Sequence, residues 1–181
     1  MDGKRLFVAI DFPNAIKELL VRLDPHLPGV RWLSTEKIHL TLNFLAQVCA
    51  DEEKCFREEL QSIHFVPFFL PITGLGTFPA KGKPRVIWAG VGRAHPQLFH
   101  LHKKVQEAAL AAGLEPELRA WHPHITIARC RDVSAESVRP FLKANSDFDA
   151  GLIRIESFWL YSSVPGARGS VYTGELTVNA T

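Results

Sequence analysis

The sequence predicts an α+β fold built from a duplicated unit, and three observations support this class. Short apolar runs of strand length alternate with segments whose apolar residues recur at helical spacing. Gly and Pro residues separate these segments. The tetrapeptide His-Leu-Thr-Leu at 39–42 returns as His-Ile-Thr-Ile at 124–127, within a similar order of elements. The duplication is inferred from this repeat and from element order, because the two halves share no other obvious identity.

Strands are predicted wherever apolar residues run together or alternate with polar ones between turn residues. The first run ends at Pro13, and the tetrapeptides lie inside two alternating segments. A loop at 76–84 and a hairpin loop at 165–169 are rich in Gly, Pro and basic residues. The predicted strands cover residues 5–12, 38–45, 65–75, 86–91, 121–129, 152–162 and 171–178.

Each predicted helix has a start or stop signal. Pro13 suits the first turn of a helix to about residue 23, because proline lacks the N–H that a first turn leaves unpaired. The helix at 51–63 begins with acidic residues that favour the positive end of the helix dipole. A helix at 96–112 stops at Gly113, and Ser134 can cap a helix to about residue 145.

Composition limits the class of protein. Hydrophobic residues make up 46% and charged residues 22% of the 181, which is typical of a globular chain. A net charge of +2 is too small for a protein that grips long duplexes, but it suits a short anionic end. Three cysteines without a Cys-x-x-Cys pair indicate reduced thiols, and the N-terminal apolar run is too short for a signal peptide. We therefore expect a cytoplasmic protein with no membrane partner, and as a separate expectation we take it to be a monomer.

The repeated tetrapeptide predicts a chemical site. Two copies in one chain arise by chance in only roughly a few chains per thousand. Side chains two residues apart on a strand share a face, so His39 and Thr41 point one way, and His124 and Thr126 do the same. Two hydroxyls could hold phosphate oxygens, while one neutral and one protonated imidazole act as base and acid. A single such histidine would more often be an ordinary surface or core residue.

Several other aromatic and basic residues could contact a substrate. Trp32, Phe78 and Trp121 could stack a nucleobase, although an aromatic residue at such a position is more often part of the core. Lys83 and Arg168 lie in loops that could meet RNA phosphates or simply be solvated. By strand parity we expect Phe44 to lie in the core, and we expect His102 to lie at the surface. We do not expect a metal ion at His122 and His124, because the sequence offers no third ligand at a suitable spacing.

Beyond the tetrapeptides, several stretches resemble one known family. Residues 39–45 and 124–129 resemble the paired motifs of the 2H phosphoesterase superfamily, and more closely its RNA 2′,3′-cyclic phosphodiesterases, also called 2′-5′ RNA ligases. The similarity extends to residues 5–10, to Arg31 and Trp32, to 84–91, and to Ser163, Gly169 and Tyr172 in the closing hairpin. It spans essentially the whole chain.

The resemblance implies one two-lobed, pseudo-twofold domain over residues 1–181, with an active cleft between the lobes and no metal or other cofactor. It implies that His39 donates a proton to the leaving 3′ oxygen, that His124 activates water, and that Arg129 binds substrate. Strand parity conflicts with the last role, because an offset of five places Arg129 opposite His124 unless a bulge redirects it.

The implied function is metal-independent hydrolysis of RNA 2′,3′-cyclic phosphate ends to 2′-phosphomonoesters, with weak reverse 2′-5′ ligation. The expected partners are RNA ends, such as tRNA fragments or other oligoribonucleotides, and free nucleotides. Two alternatives stay open at this point. One is a phosphodiesterase for small cyclic nucleotides or 2′-5′ oligonucleotides, and the other is a non-catalytic RNA- or nucleotide-binding module.

Overall fold

The protein is described here by a computed structural model that covers residues 3–115, 119–167 and 169–181. Within these ranges the strands are β1 (Lys4–Ile10), β2 (Val30–Trp32), β3 (Leu40–Val48), β4 (Phe68–Thr73), β5 (Leu75–Phe78), β6 (Val86–Gly90), β7 (His124–Cys130), β8 (Asp149–Ile155), β9 (Ser157–Val164) and β10 (Val171–Asn179). The α-helices of the same ranges are α1 (Asn14–Val21), α2 (Ala50–Gln61), α3 (Pro96–Ala111) and α4 (Ala135–Ala144), and a short 3-10 turn covers Thr35–Lys37. No helix in this described part combines the length and apolar character needed to cross a membrane.

One large sheet organises the fold. Its strand order is β10–β9–β1–β3–β7–β6–β5, β2 also pairs with β7, and all of these pairings are antiparallel. A separate two-stranded sheet joins β4 to β8. Strands β3 and β7 meet at the centre through one residue pair, Leu40 and Ile125. The mixed α+β class with antiparallel sheets and flanking helices is thus confirmed, and the two tetrapeptides lie side by side at the middle of the large sheet.

The apolar residues of the tetrapeptides anchor this centre. Leu40, Leu42, Ile125 and Ile127 are at most 1% exposed and belong to the main hydrophobic core. Complete burial of a side chain of this size contributes about 1.5–3 kcal/mol. The intervening histidines and threonines are therefore carried on strands that the core holds in place.

Helix boundaries follow the predicted signals closely. The Ser134 hydroxyl accepts a hydrogen bond from the Ser137 N–H at 3.2 Å, so it caps α4 as expected. Helix α3 is followed by Gly113, whose φ of +80° is the left-handed conformation that favours glycine. The N–H of Cys49 donates to the Glu52 carboxylate at 2.7 Å at the start of α2. Pro13 is the residue before α1 rather than part of its first turn.

Two strand predictions were wrong in the same way. Residues 65–75 were expected to form one strand, but the chain turns at Gly74, whose φ is +77°, and β5 then occupies part of the expected 76–84 loop. Residues 152–162 were also expected to be one strand, but β8 and β9 are separated at Glu156. In both places the chain leaves the small sheet for the large one. An apolar run shows that a segment is buried but not which sheet buries it.

Candidate active site

A cavity of about 150 Å³ lies where the two tetrapeptides meet. It brings together all four polar residues of the repeat, although the two copies are 85 residues apart in sequence. Aromatic and basic side chains complete its walls. The lining residues are Phe7, Leu33, Lys37, His39, Thr41, Phe44, His124, Thr126, Arg129 and Tyr172.

Each motif histidine is oriented by the backbone two residues before it. The Nδ1 atom of His124 lies 2.7 Å from the His122 carbonyl oxygen. His39 also forms a hydrogen bond with the backbone of Lys37. Because this bond raises the pKa of His39, the imidazole is the donor and the Lys37 carbonyl is the acceptor. Because Nδ1 of His124 can only donate to a carbonyl, a neutral His124 has an unprotonated Nε2, the form that a general base requires.

Aromatic side chains pack around both imidazoles. The Phe7 ring stacks on His39 with centroids 4.9 Å apart, and the Tyr172 ring meets His39 edge-on at 5.5 Å. The Phe78 ring meets His124 edge-on at 4.9 Å. These contacts restrict ring rotation and exclude water from part of each imidazole, so they both orient the rings and weaken their protonation.

The environment of His39 lowers its pKa to about 4, chiefly because burial disfavours the charged ring. The Asp11 carboxylate and the Lys37 carbonyl oppose this effect, whereas the charges of Lys17 and Arg129 add to it. Burial also lowers the pKa of His124, with a smaller opposing effect from the His122 carbonyl. Both rings are therefore mainly neutral at pH 7 in the free protein, and an anion between them would favour protonation.

A β-bulge in each motif strand decides which later residues reach the cavity. In β3, Thr41 pairs with Ala9 and Asn43 with Val8, so Leu42 is the extra residue. In β7, Thr126 pairs with Trp88 and Ala128 with Ile87, so Ile127 is the extra residue. Each bulge reverses the alternation of side chains beyond it.

These bulges explain two residues at the cavity. Arg129 lines it with His124 despite the odd offset between them, so the bulge that parity required is present. Phe44 was expected in the core, and that prediction was wrong: its side chain is 49% exposed and also lines the cavity. The parity argument failed because Leu42 shifts the register of β3.

A larger cavity of about 670 Å³ adjoins the first and shares His124 with it. Its walls carry aromatic rings and one cation, as well as backbone of the segment between β6 and α3. Phe78 packs against Trp88 there, with ring centroids 5.4 Å apart. The residues that line it are Thr73, Gly74, Leu75, Phe78, Trp88, Gly90, Val91, Gly92, Arg93, Ala94, Phe99, His122, Pro123 and His124.

The other predicted binding residues have different outcomes. Trp32 donates its indole N–H to the Leu20 carbonyl at 2.9 Å and packs edge-on against Phe141, so the expectation that it stacks a base at the cleft was wrong. Lys83 is exposed and lines neither cavity described above, because its loop extends beyond β5 on the side of α4. Arg168 lies outside the described residues.

Trp121 lies beside the first motif. Its indole N–H donates to the Thr41 carbonyl at 3.1 Å, and its ring stacks on His102 with centroids 3.9 Å apart. His102 is therefore half-buried and not the surface residue that its helical spacing indicated. Among residues 3–115, 119–167 and 169–181, no group of three or more His, Cys, Asp or Glu side chains is placed to hold a metal ion.

Several cavity residues were missed by sequence reasoning. Phe7 lies in a continuous apolar run that indicates only a buried strand, and Lys37 lies in the turn before the first motif. Phe99 and Arg93 reach the larger cavity from α3 and the segment before it. A pattern within one segment gives no sign of them, because they come together only through strand pairing.

Comparisons with known proteins agree with this geometry. The chain matches the family described as LigT-like phosphoesterase twice, over residues 9–88 and 91–172. It is 30% identical over 171 residues to the RNA 2′,3′-cyclic phosphodiesterase of Archaeoglobus fulgidus, covering 93% of this chain and 96% of the relative. It is also 30% identical to the protein of the same name from Aeropyrum pernix, covering 79% of this chain and 82% of that one.

Solved structures show the same relationship. The apo form of Escherichia coli LigT superposes with a TM-score of 0.82 at 26% identity, over 100% of this chain and 99% of that one. The complex of that protein with 3′-AMP gives 0.79 at 28% identity, over 98% of both chains. Each match contains one motif strand, β3 in the first and β7 in the second, and these two strands meet at Leu40 and Ile125. From its motifs, its fold and these relatives, the chain belongs to the LigT-like phosphoesterase family.

Proposed function

We propose that this protein hydrolyses RNA 2′,3′-cyclic phosphate ends to 2′-phosphomonoesters. One observation carries the proposal: His39, His124, Thr41 and Thr126 all line a single cavity of about 150 Å³, a size that suits one phosphate group. Family membership and relatives named RNA 2′,3′-cyclic phosphodiesterase support the same activity. We also propose that residues 1–181 form a single domain with two lobes.

The proposed reaction needs one base and one acid. Water bonds to phosphorus as its proton passes to Nε2 of His124. The bond from phosphorus to the 3′ oxygen breaks, and that oxygen takes a proton from protonated His39. The product carries a 2′-phosphate and a free 3′ hydroxyl. Proton exchange with solvent then restores both rings, so no other reactant is required.

Assignment of His39 as the acid follows the family resemblance, and the bound substrate would have to favour its protonation, because burial lowers the pKa of His39 to about 4 in the free protein. The charge of Lys17, which forms an ion pair with Asp11, opposes protonation of His39, whereas the Asp11 carboxylate favours the protonated form. The anionic phosphate itself would add to this effect when bound. The hydroxyls of Thr41 and Thr126 and the guanidinium of Arg129 would hold its non-bridging oxygens.

The larger cavity would take the nucleoside that carries the cyclic phosphate. Its volume of about 670 Å³ falls in the range of small-molecule sites. Phe78 and Phe99 offer rings for the base, and Arg93 offers a cation. Solved relatives in complex with 3′-AMP, ATP and NADP⁺ support nucleotide binding by this fold.

Some finer expectations belong with this proposal. A tRNA fragment is one RNA end that would fit, and weak reverse 2′-5′ ligation would follow if a 5′ hydroxyl replaced water. The thiols of Cys49, Cys55 and Cys130 are free, which supports a reducing compartment such as the cytoplasm. We expect the monomer to be active, because both motifs come from one chain.

Product analysis tests the proposal. An oligoribonucleotide with a 2′,3′-cyclic phosphate end should yield a 2′-phosphate in the presence of EDTA, and a mononucleotide cyclic phosphate should be compared in parallel. Exclusive formation of a 3′-phosphate, or loss of activity in EDTA, would contradict the mechanism. Binding without hydrolysis, unchanged in the His39→Ala and His124→Ala variants, would instead identify a non-catalytic binding module.

A further inference from the structure

A third cavity, of about 150 Å³, lies between β3 and α3. It shares Thr41, Phe44 and His124 with the catalytic cavity, and so adjoins the site where the phosphate would bind. It shares only His124 with the larger cavity. The lining residues are Thr41, Leu42, Asn43, Phe44, His102, Gln106, Arg119, Trp121 and His124.

The walls of this third cavity suit a flat aromatic ring. Phe44 is 49% exposed, which is unusual for a phenylalanine in the middle of a central strand. The rings of Trp121 and His102 lie parallel, 6° apart, and the Trp121 indole N–H is held by the Thr41 carbonyl. Burial lowers the pKa of His102, so its ring is neutral at pH 7 and packs as an uncharged aromatic surface.

Polar groups accompany these rings. Gln106 lies one turn after His102 on the same face of α3, and its amide can both donate to and accept from a base edge. Arg119 adds positive charge to the lining. Aromatic walls with an amide and a cation are the combination by which proteins hold bases of single-stranded RNA.

We propose that this cavity is a second base subsite, which holds the nucleotide preceding the cyclic phosphate end. The inference rests on the proposed function and adds a substrate preference for RNA over mononucleotides. Size assigns the two subsites. The cavity for the terminal nucleoside must enclose both its base and its ribose in order to place the phosphate, and a volume of about 670 Å³ is large enough for this. The preceding nucleotide needs to insert only its base, for which a volume of about 150 Å³ is enough.

The test compares three substrates on the unmodified protein: uridine 2′,3′-cyclic phosphate, the dinucleotide ApU with the same end, and that dinucleotide with its adenine removed. Base stacking of ordinary strength predicts that kcat/KM of the intact dinucleotide exceeds that of the abasic one by about tenfold or more. Equal values for the intact and abasic dinucleotides would overturn the inference. Turnover of none of the three would instead contradict the proposed function.

Protein variants locate the effect. The double variant His102→Ala/Gln106→Ala should reduce kcat/KM of the intact dinucleotide to that of the abasic one, and should leave the mononucleotide unchanged. Arg93→Ala, in the larger cavity, is the matched control and should affect all three substrates by similar factors. If the double variant slows the mononucleotide as much as the dinucleotide, the assignment of this cavity to the preceding nucleotide is wrong.

Discussion

Phe44 and Arg129 occupy equivalent positions in the two halves of the protein. Each lies five residues after a motif histidine, each follows a bulge at the fourth motif residue, and each lines the cavity between the two motifs. The duplication therefore extends to backbone geometry, although the two side chains differ completely in chemistry. One half supplies an aromatic ring at this position and the other supplies a cation.

We expect a phosphate in this cavity to depend on the guanidinium of Arg129, which lines the cavity together with the ammonium group of Lys37. We expect Arg129→Ala to lower kcat/KM for a cyclic-phosphate oligomer by about 10²-fold, because a charge-assisted hydrogen bond to the phosphate is lost. Arg129→Lys should recover part of this loss. Steady-state kinetics measure both, with Arg131→Ala, an exposed neighbour, as the control. Equal losses in the Arg129 and Arg131 variants would show that only general charge matters.

Each motif histidine should be essential for rate and dispensable for folding. His39→Ala and His124→Ala should each reduce kcat by about 10²–10⁴-fold, which is the usual contribution of a general acid or base. Because both rings are only partly buried, thermal unfolding should show folded variants. His100→Ala, on the exposed face of α3, should retain normal kcat. Near-normal turnover in either motif variant would contradict the paired mechanism.

The pH dependence of folding stability should report the low pKa of His39. Between the unfolded value of about 6.5 and the folded value of about 4, the unfolded chain binds more protons, so stability falls as pH decreases through this window. His39→Gln removes this contribution. The Tm of the unmodified protein relative to that of His39→Gln should thus decrease from pH 7 to pH 4.5. A constant difference across this range would show that His39 titrates normally.

Catalysis should follow a bell-shaped pH profile, because one ring must be neutral while the other is protonated. The kcat/KM profile reports the free enzyme, in which both pKa values are lowered, so its optimum should lie below about pH 6.5. In the kcat profile, the bound phosphate anion raises the pKa of His39, so activity should persist to higher pH. Identical alkaline limbs in the two profiles would mean that the substrate does not interact electrostatically with His39.

Much of the site could be predicted from the chain alone, because its signals are local. Side chains two residues apart on a strand lie on the same face. Once the segment was predicted to be a strand, His39 and Thr41 could therefore be placed on one face. Ser134 and Gly113 gave correct helix ends because capping depends on the residue itself and its immediate backbone. The repeated tetrapeptide and the order of elements indicated the duplication, which no other stretch of identity revealed.

Other features depend on partners distant in sequence. Nothing in residues 39–45 shows that Leu42 is unpaired, since that is decided by the register of β1 against β3. Trp32 and Trp121 are the same residue type near the same motifs, yet one lies against α4 and the other beside the cavity. Which sheet receives a strand also decides where it breaks, as at Gly74 and Glu156.

By itself, the sequence determined which polar side chains the two motif strands carry, two imidazoles and two hydroxyls, and the α+β class of the fold. Only the tertiary structure decided which side chains accompany them, because bulges at Leu42 and Ile127 turn Phe44 and Arg129 toward the cavity. It also decided the protonation of His39, since burial and the charges of Asp11, Lys17 and Arg129 act through space. A local pattern encodes periodicity and residue type, whereas register and electrostatic environment arise from cross-strand packing.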